Sequence, residues 1–292
     1  MRSRAFCIIL THREVINLFQ IIKEHKGFSK QIFLLAKNEL IKTYKGAVIG
    51  PFWAVVKPAF TLFVYWFAFT VGIKALGDVN ISVNGEYINT FDRFTFMLVG
   101  FIPWFFISDS ITQGAKSIKQ NRQFVTKVSF PVSTIITYTS LARLYVHFLL
   151  ASLMYLYVIF ISGVGVTIYN LQFFLYCPLM FLFFVVLAWS TAPMSAFSAD
   201  FENMIISIMS GIFWVSGVIY SSYDFTSGFL KYLMLLNPIN FFANGYRNTF
   251  LYERWFYEYP LELIIFGIEF LVVLALGIFN YNRLRKRLPD VL

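Results

Sequence analysis

Charge is scarce in this chain. Of its 292 residues, 13% are Asp, Glu, Lys or Arg, about half the share of an average soluble domain. A stretch of 56 residues from Leu144 to Ala199 has none. No soluble surface can be built from such a stretch. Cysteine is scarcer still. Cys7 lies among basic residues and Cys177 in an apolar run, which excludes a disulfide framework and a cysteine metal cluster. The three histidines, His12, His25 and His147, are scattered. No segment reads GxxxxGK followed by Ser or Thr, so the chain has no phosphate-cradling loop of that kind and cannot bind ATP in that manner. Catalytic acid pairs are missing too. Asp200 and Glu202 fall in a short expected loop and read as a solvated face, and the spacing of Asp78, Glu86 and Asp92 fits no motif. The apolar patch Phe6 to Leu10 is too short for a cleavable signal peptide and runs into Thr11, His12, Arg13 and Glu14, so the N-terminus is expected to be retained.

Apolar residues make up 58% of the chain and aromatics 20%. Uncharged runs exceed the roughly 18 residues that cross a bilayer as a helix. The expected fold is an all-α polytopic membrane protein with six spans: Pro51 to Ile73, Phe94 to Ile111, Leu141 to Ile161, Phe173 to Pro193, Met204 to Tyr220 and Leu261 to Tyr281. The uncharged stretch of 56 residues must be two helices, because at ~1.5 Å per residue one would far outrun the membrane. Gly163, Gly165 and Asn170 mark the turn between them.

A net charge of +9 raises the question of nucleic acid, but the basic residues flank the spans. With the N-terminus inside, seventeen Lys and Arg fall on the cytoplasmic side, five on the outer side, and Lys57 and Arg143 within spans. That asymmetry places both ends in the cytoplasm of a plasma-membrane protein.

Between and around the spans, three segments stand out. Residues 28–45, within a cytoplasmic segment 1–50, form a two-faced interfacial helix, with Phe28, Ile32, Leu35, Ala36, Leu40 and Tyr44 against Lys30, Lys37, Asn38, Lys42 and Lys45; anionic lipids attract such helices. Residues 112–130 form a second, with Lys116, Lys119, Gln123 and Lys127 on one side and Ile118, Phe124, Val125 and Val128 on the other. That arrangement suits contact with a cytoplasmic partner. In residues 221–260 the apolar run is too short to span and is interrupted by Asn237 and Pro238, so short re-entrant helices on the outer face are expected, followed by Tyr252, Trp255, Phe256, Tyr257 and Tyr259 at headgroup level. Residues 282–292 close the 51–281 membrane domain as a basic tail.

Ionisable groups in hydrocarbon face an interior or a cavity. The candidates are Lys57, Asp109, Arg143, His147 and Glu269. Asp109 and Arg143 lie at similar depth on consecutive spans and are expected to approach each other, and Arg143 to hold an anionic lipid phosphate. Glu269 is nearer mid-membrane.

Three stretches carry a resemblance. YKGAVIGPFWAVVKPAF, Tyr44 to Phe60, holds Tyr44, Ile49, Gly50, Trp53 and Pro58 at a spacing that resembles the first-span signature of ABC-2 type permeases that export polysaccharides. LVGFIPWFFISDSITQGAKSIKQNRQFVTKVSFP, Leu98 to Pro131, is similar to that family's second span and coupling helix. NPINFFANGYRNTFLY, Asn237 to Tyr252, is similar to its outer segment, with Asn237, Pro238, Tyr246, Arg247 and Leu251 in place. Within the family, GAKSIKQNRQFVTKVSFP is most similar to the branch that exports wall teichoic acid.

The resemblance implies a homodimer bound below by two copies of a separate ATPase that carries the ATP and magnesium, leaving this chain without a cofactor of its own. It implies a non-catalytic subunit moving an undecaprenyl-diphosphate-linked polymer from the inner to the outer leaflet, with O-antigen, capsule and rhamnan polymers as alternatives. Lys116, Lys119, Gln123 and Lys127 would receive the ATPase movement. The expected path holds Tyr44, Gly50, Trp53, Arg143, Arg247 and the first-span aromatics Phe63, Tyr65, Trp66 and Phe69, whose flat faces suit the C–H faces of sugars. A lone ion-coupled carrier would need repeated halves, and no clear internal repeat occurs. A membrane glycosyltransferase would need a carboxylate-rich site.

Overall fold

The computed structural model describes residues 16–72, 77–83, 86–128, 130–224 and 228–292, and Cys7, His12 and Lys74 lie outside these. Among the described residues five helical stretches, Gly50–Gly72, Arg93–Gln120, Val132–Phe160, Ile168–Phe197 and Pro260–Val291, are long and apolar enough to cross a membrane, and the chain is a multi-pass membrane protein.

In chain order, α1 (Ile16–Gly27) and α2 (Ser29–Tyr44) precede α3 (Trp53–Trp66), which a π-helical turn, Phe67–Gly72, extends. A hairpin of β1 (Val79–Val83) and β2 (Glu86–Phe91) leads into α4 (Arg93–Gln120) and the short α5 (Arg122–Thr126). Then come α6 (Val132–Phe160), α7 (Phe173–Phe197), α8 (Ala199–Trp214), α9 (Phe229–Leu235), α10 (Pro238–Arg247), α11 (Pro260–Leu284) and α12 (Leu288–Val291). The helix starts follow their sequences: the side chains of Asp92 and Ser198 cap α4 and α8 by accepting from Thr95 N (2.9 Å) and Phe201 N (3.2 Å), and Asn237 with Pro238 opens α10.

The core is built around α4, which packs against α6, α7, α8 and α10. Phe96, Met97, Phe101 and Ile107 are fully buried along it. In lipid such contacts stabilise through close packing rather than through water release. The outer helices α3 and α11 instead expose Phe60, Phe63, Ile264 and Leu271.

Several expectations meet a different arrangement. The antiparallel hairpin, with Val79 opposite Phe91, interrupts an otherwise helical chain. The sixteen-residue α8 replaces the expected span Met204 to Tyr220; at ~1.5 Å per residue it is about 24 Å long, short of a ~30 Å hydrocarbon core. The chain beyond it is unwound, with Ser216, Val218, Ile219 and Ser221 buried.

The helix expected over 112–130 is divided. Its first part is the end of α4, which stops where the buried Asn121 donates its Nδ2 back to the Ser117 carbonyl (2.9 Å); only α5 continues. Asp200 and Glu202 lie in the first turn of α8 rather than in a loop. The basic tail at 282–292 is helical and packed: Leu288 is fully buried, and Arg285 pairs with Glu24 of α1 (3.6 Å). In α2, Ile32 and Ala36 are buried, Glu39 is buried beside them, and Phe33, Leu34 and Ile41 are exposed, so the helix packs on α6 with a narrower face than its amphipathic pattern suggests.

Candidate functional site

Where α2, α3, α4 and α6 meet at the basic end of the bundle, they enclose a cavity of about 630 Å³. Each helix supplies one face by its own periodicity. From α3 come Trp53, Ala54, Lys57, Pro58 and Thr61, from α4 Trp104, Phe105, Ser108, Asp109 and Gln113, and from α6 Arg143, Val146, His147 and Leu150. The end of α2 adds Glu39, Lys42 and Tyr44. Pro58 has no N–H to give the carbonyl of Ala54, which also borders the space.

The electrostatics are uneven. Lys42 and Glu39 pair with each other at 3.6 Å. Asp109 is within electrostatic reach of Arg143 and Lys57, yet no ion pair closer than 4 Å joins it to either among the described residues. The Nε of Arg143 is buried without a hydrogen-bond partner. Burial raises the Tyr44 phenol above its ordinary value, with Arg143 opposing and Asp109 adding. The site therefore holds three cations against two carboxylates, rimmed by the rings of Trp53, Trp104 and Tyr44. It can take an anion whose neighbouring atoms are apolar.

Of the residues expected on a transport path, Tyr44, Trp53 and Arg143 line this cavity. Gly50 does not; its φ of +51° serves the turn into α3. The first-span aromatics diverge. Tyr65 packs on Phe213 (ring centroids 5.0 Å) and Phe101 (5.5 Å), and Phe69 stacks on Tyr65. Trp66 meets Phe94 edge-on at 6.2 Å, and Phe63 faces outward, 50% exposed.

Arg247 is fully buried, away from the cavity. Its guanidinium donates to the carbonyls of Gly217 (2.6 Å), Val218 (2.6 Å) and Tyr220 (3.3 Å) and lies 3.9 Å from the centre of the Phe96 ring. Asn237 Nδ2 serves the carbonyl of Val215 (3.0 Å), and the Tyr220 hydroxyl serves that of Trp214 (2.7 Å). Unwound backbone at membrane depth persists only where protein groups satisfy it, and Arg247 is the main such group here. Gly100 permits the approach: a methyl group there would stand 2.5 Å from the Val218 oxygen and closer still to the guanidinium.

The basic residues expected to meet a partner divide into two sets. Lys116 and Lys119 both reach Glu202, at 3.7 and 3.0 Å. Gln123 and Lys127 are exposed at α5, beside Arg122. Glu269 lies half-buried on α11. Lys57, Asp109 and His147 all border the cavity, and His147 also reaches Tyr246 of α10 at 2.7 Å. Reasoning from sequence passed over Lys42 and Trp104 as lining residues; Trp104 stands four residues before Ser108, which also lines the cavity, a one-turn spacing on α4 that could have marked it.

Residues 30–251 match the ABC-2 type transporter family. The chain belongs to that family. The matched region takes in every element that lines the cavity, from α2 to α6, and ends within the turn that follows α10. This ABC-2 transporter chain is also similar to the O-antigen export system permease protein RfbA of Myxococcus xanthus, with 24% identity over 267 residues that cover 91% of this chain and 97% of the relative.

Proposed function

We propose that this chain is the membrane-spanning permease of an ATP-driven exporter, working as a homodimer, and that it moves a polymer carried on undecaprenyl diphosphate from the inner to the outer leaflet. The cavity carries the reading. It sits at the end rich in Lys and Arg, taken as cytoplasmic by the positive-inside asymmetry, and it combines Arg143, Lys57 and Lys42 with Trp53, Trp104 and Tyr44. A lipid diphosphate has that composition, an anionic head joined to an apolar chain. Arginine binds phosphate oxygens through a planar fork of donors, and the buried Nε of Arg143 lacks a partner.

Two separate ATPase subunits would supply the energy, docking below at α5 with Arg122, Gln123 and Lys127, while Lys116 and Lys119 transmit movement to α8 through Glu202. The polymer is a cell-surface glycan or polyol phosphate. The sequence resemblance at Gly114 to Pro131 favours wall teichoic acid, and the name of the Myxococcus relative favours O-antigen; both ride on a polyprenyl diphosphate.

The test is reconstitution of the chain with its ATPase in proteoliposomes. ATP-dependent appearance of lipid-linked polymer on the far side is expected, and Arg143→Leu should abolish it with assembly intact. A polyol-phosphate polymer and a neutral-sugar polymer, each on the same carrier, separate the two cargo classes by which one stimulates ATP hydrolysis. ATP hydrolysis by the isolated chain, or transport without a companion protein, overturns the reading.

A further inference from the structure

Among the charges of the cavity, two carboxylates, Glu39 and Asp109, have the wrong sign for capturing an anion. Asp109 stands on α4 with its side chain exposed to the cavity. The Glu39 carboxylate is already matched by Lys42, the third cation of the lining, at 3.6 Å, which leaves Asp109 facing Arg143 and Lys57. A residue needed only to neutralise the part-buried Arg143 would close onto it, because a charge withdrawn from water is stabilised by contact pairing. Here no contact ion pair forms, and Arg143 keeps a buried donor free. A structural role for Asp109 as a hydrogen-bonded strut also lacks support: no hydrogen bond to its carboxylate occurs among the described residues, while the neighbouring hydroxyl-bearing side chains on α3 and α4, Thr61 and Thr112, donate to their own helix carbonyls.

We propose that Asp109 sets the affinity of the cavity for its anion, holding it weak enough to release. The inference rests on the proposed capture of a lipid diphosphate. Without cargo, the carboxylate offsets part of the charge of Arg143 and Lys57, so the empty site is tolerated in a low-dielectric surround. When a phosphate takes the free Nε, Asp109 becomes its like-charged neighbour and shares the same two cations. Capture must be favourable enough to load and weak enough to unload, the compromise met wherever charged cargo passes through a binding site. Phosphate binding alone would maximise attraction. The carboxylate supplies the opposing force from within the same lining.

The test uses the full-length chain in nanodiscs of neutral lipid and one probe, farnesyl-diphosphoryl-N-acetylglucosamine. Asp109→Asn is expected to tighten binding roughly tenfold, the scale of removing one partly screened like charge, mostly through slower dissociation. In the reconstituted complex with its ATPase, the same variant is expected to export more slowly at saturating cargo. Asp109→Glu, which keeps the charge, should stay within about threefold of the parent affinity, and Asp200→Asn, on the exposed first turn of α8, should match the parent. Should Asp109→Asn fold poorly, Asp109→Ser gives the same readout. Unchanged or weakened binding in a folded, uncharged variant overturns the inference. Failure of the parent chain to bind the probe overturns the proposed capture instead, so the two failures are distinct.

Discussion

The imidazole Nε2 of His147 and the hydroxyl of Tyr246 lie 2.7 Å apart, joining the cavity-lining face of α6 to α10 across 99 residues of sequence. Both side chains are buried, and their rings meet nearly edge-on with Phe173 beside them. The link ties the cavity lining directly to α10, with no intervening flexible loop.

Tyr246→Phe removes the hydroxyl and leaves the imidazole nitrogen without this partner. Interhelical hydrogen bonds in membrane proteins average about 0.6 kcal/mol and reach about 1.7 kcal/mol, and the variant should lose up to that much in a thermal or chemical melt in detergent. A double-mutant cycle with His147→Leu isolates the term. If the two single losses simply add, the hydrogen bond contributes nothing to holding α10 on α6.

Arg247→Met should cost more, because it strips the carbonyls of Gly217, Val218 and Tyr220 of their donor at once, at about 1–3 kcal/mol for each buried group left unpaired. Arg247→Lys should fall between, since an ammonium lacks the fork that spans three oxygens. Gly100→Ala pushes on the same guanidinium and the same Val218 oxygen, so its loss should not add to that of Arg247→Met. An Arg247→Met protein that melts with the parent would remove the clamp.

Apolar runs and basic flanks made the membrane architecture legible, because in lipid those patterns are dictated by solvent. What they could not carry was satisfaction at a distance. The residues from Val215 to Tyr220 are as apolar as the helix before them, and nothing local says that Arg247, thirty residues later, serves their carbonyls; hydropathy therefore read one full span. The hairpin was legible and was missed: the alternating Val79, Asn80, Ile81, Ser82, Val83 precedes Asn84-Gly85, the strongest short hairpin signal. Helix α1 was hidden because, among its described side chains, Ile21 is the one fully buried apolar group and stands beside Lys23, Glu24, His25 and Lys26. At the cavity, Arg143 and Asp109 were identifiable as charges in apolar runs, whereas Trp104 looked like any aromatic of a span. Side chains that only fill lipid-facing or core volume have the same sequence signature as those that line a cavity.

Glu202 meets Lys119 at 3.0 Å and Lys116 at 3.7 Å, with all three partly exposed. Such pairs contribute little to stability, about 0–1 kcal/mol, so Glu202→Lys should melt close to the parent. Its effect should fall on transmission from α4 to α8: ATP hydrolysis by the assembled complex continues while export drops. Swapping the charges, Glu202→Lys with Lys119→Glu, should restore part of the export. Loss of hydrolysis together with export in Glu202→Lys would instead mean that the residue serves docking of the ATPase.

At the opposite end, the Tyr223 and Tyr259 rings stack at 5.0 Å and 14°. Burial pushes the Tyr259 phenol up to about 12, with Arg254 opposing and Glu262 and Glu258 adding; burial likewise raises Tyr223. In the unfolded chain these phenols titrate at their ordinary value of 10.0. Below that pH both states are protonated and the stability is complete. As pH rises above it, the unfolded chain releases protons that the folded chain retains, so stability falls with pH up to the folded value. Melts in detergent between about pH 8 and pH 11 should therefore turn downward near pH 10. Tyr259→Phe should flatten that fall while lowering the neutral-pH melting point little, because the ring and its stacking remain. An alkaline slope that is the same with and without the Tyr259 hydroxyl would place the buried titration elsewhere in the fold.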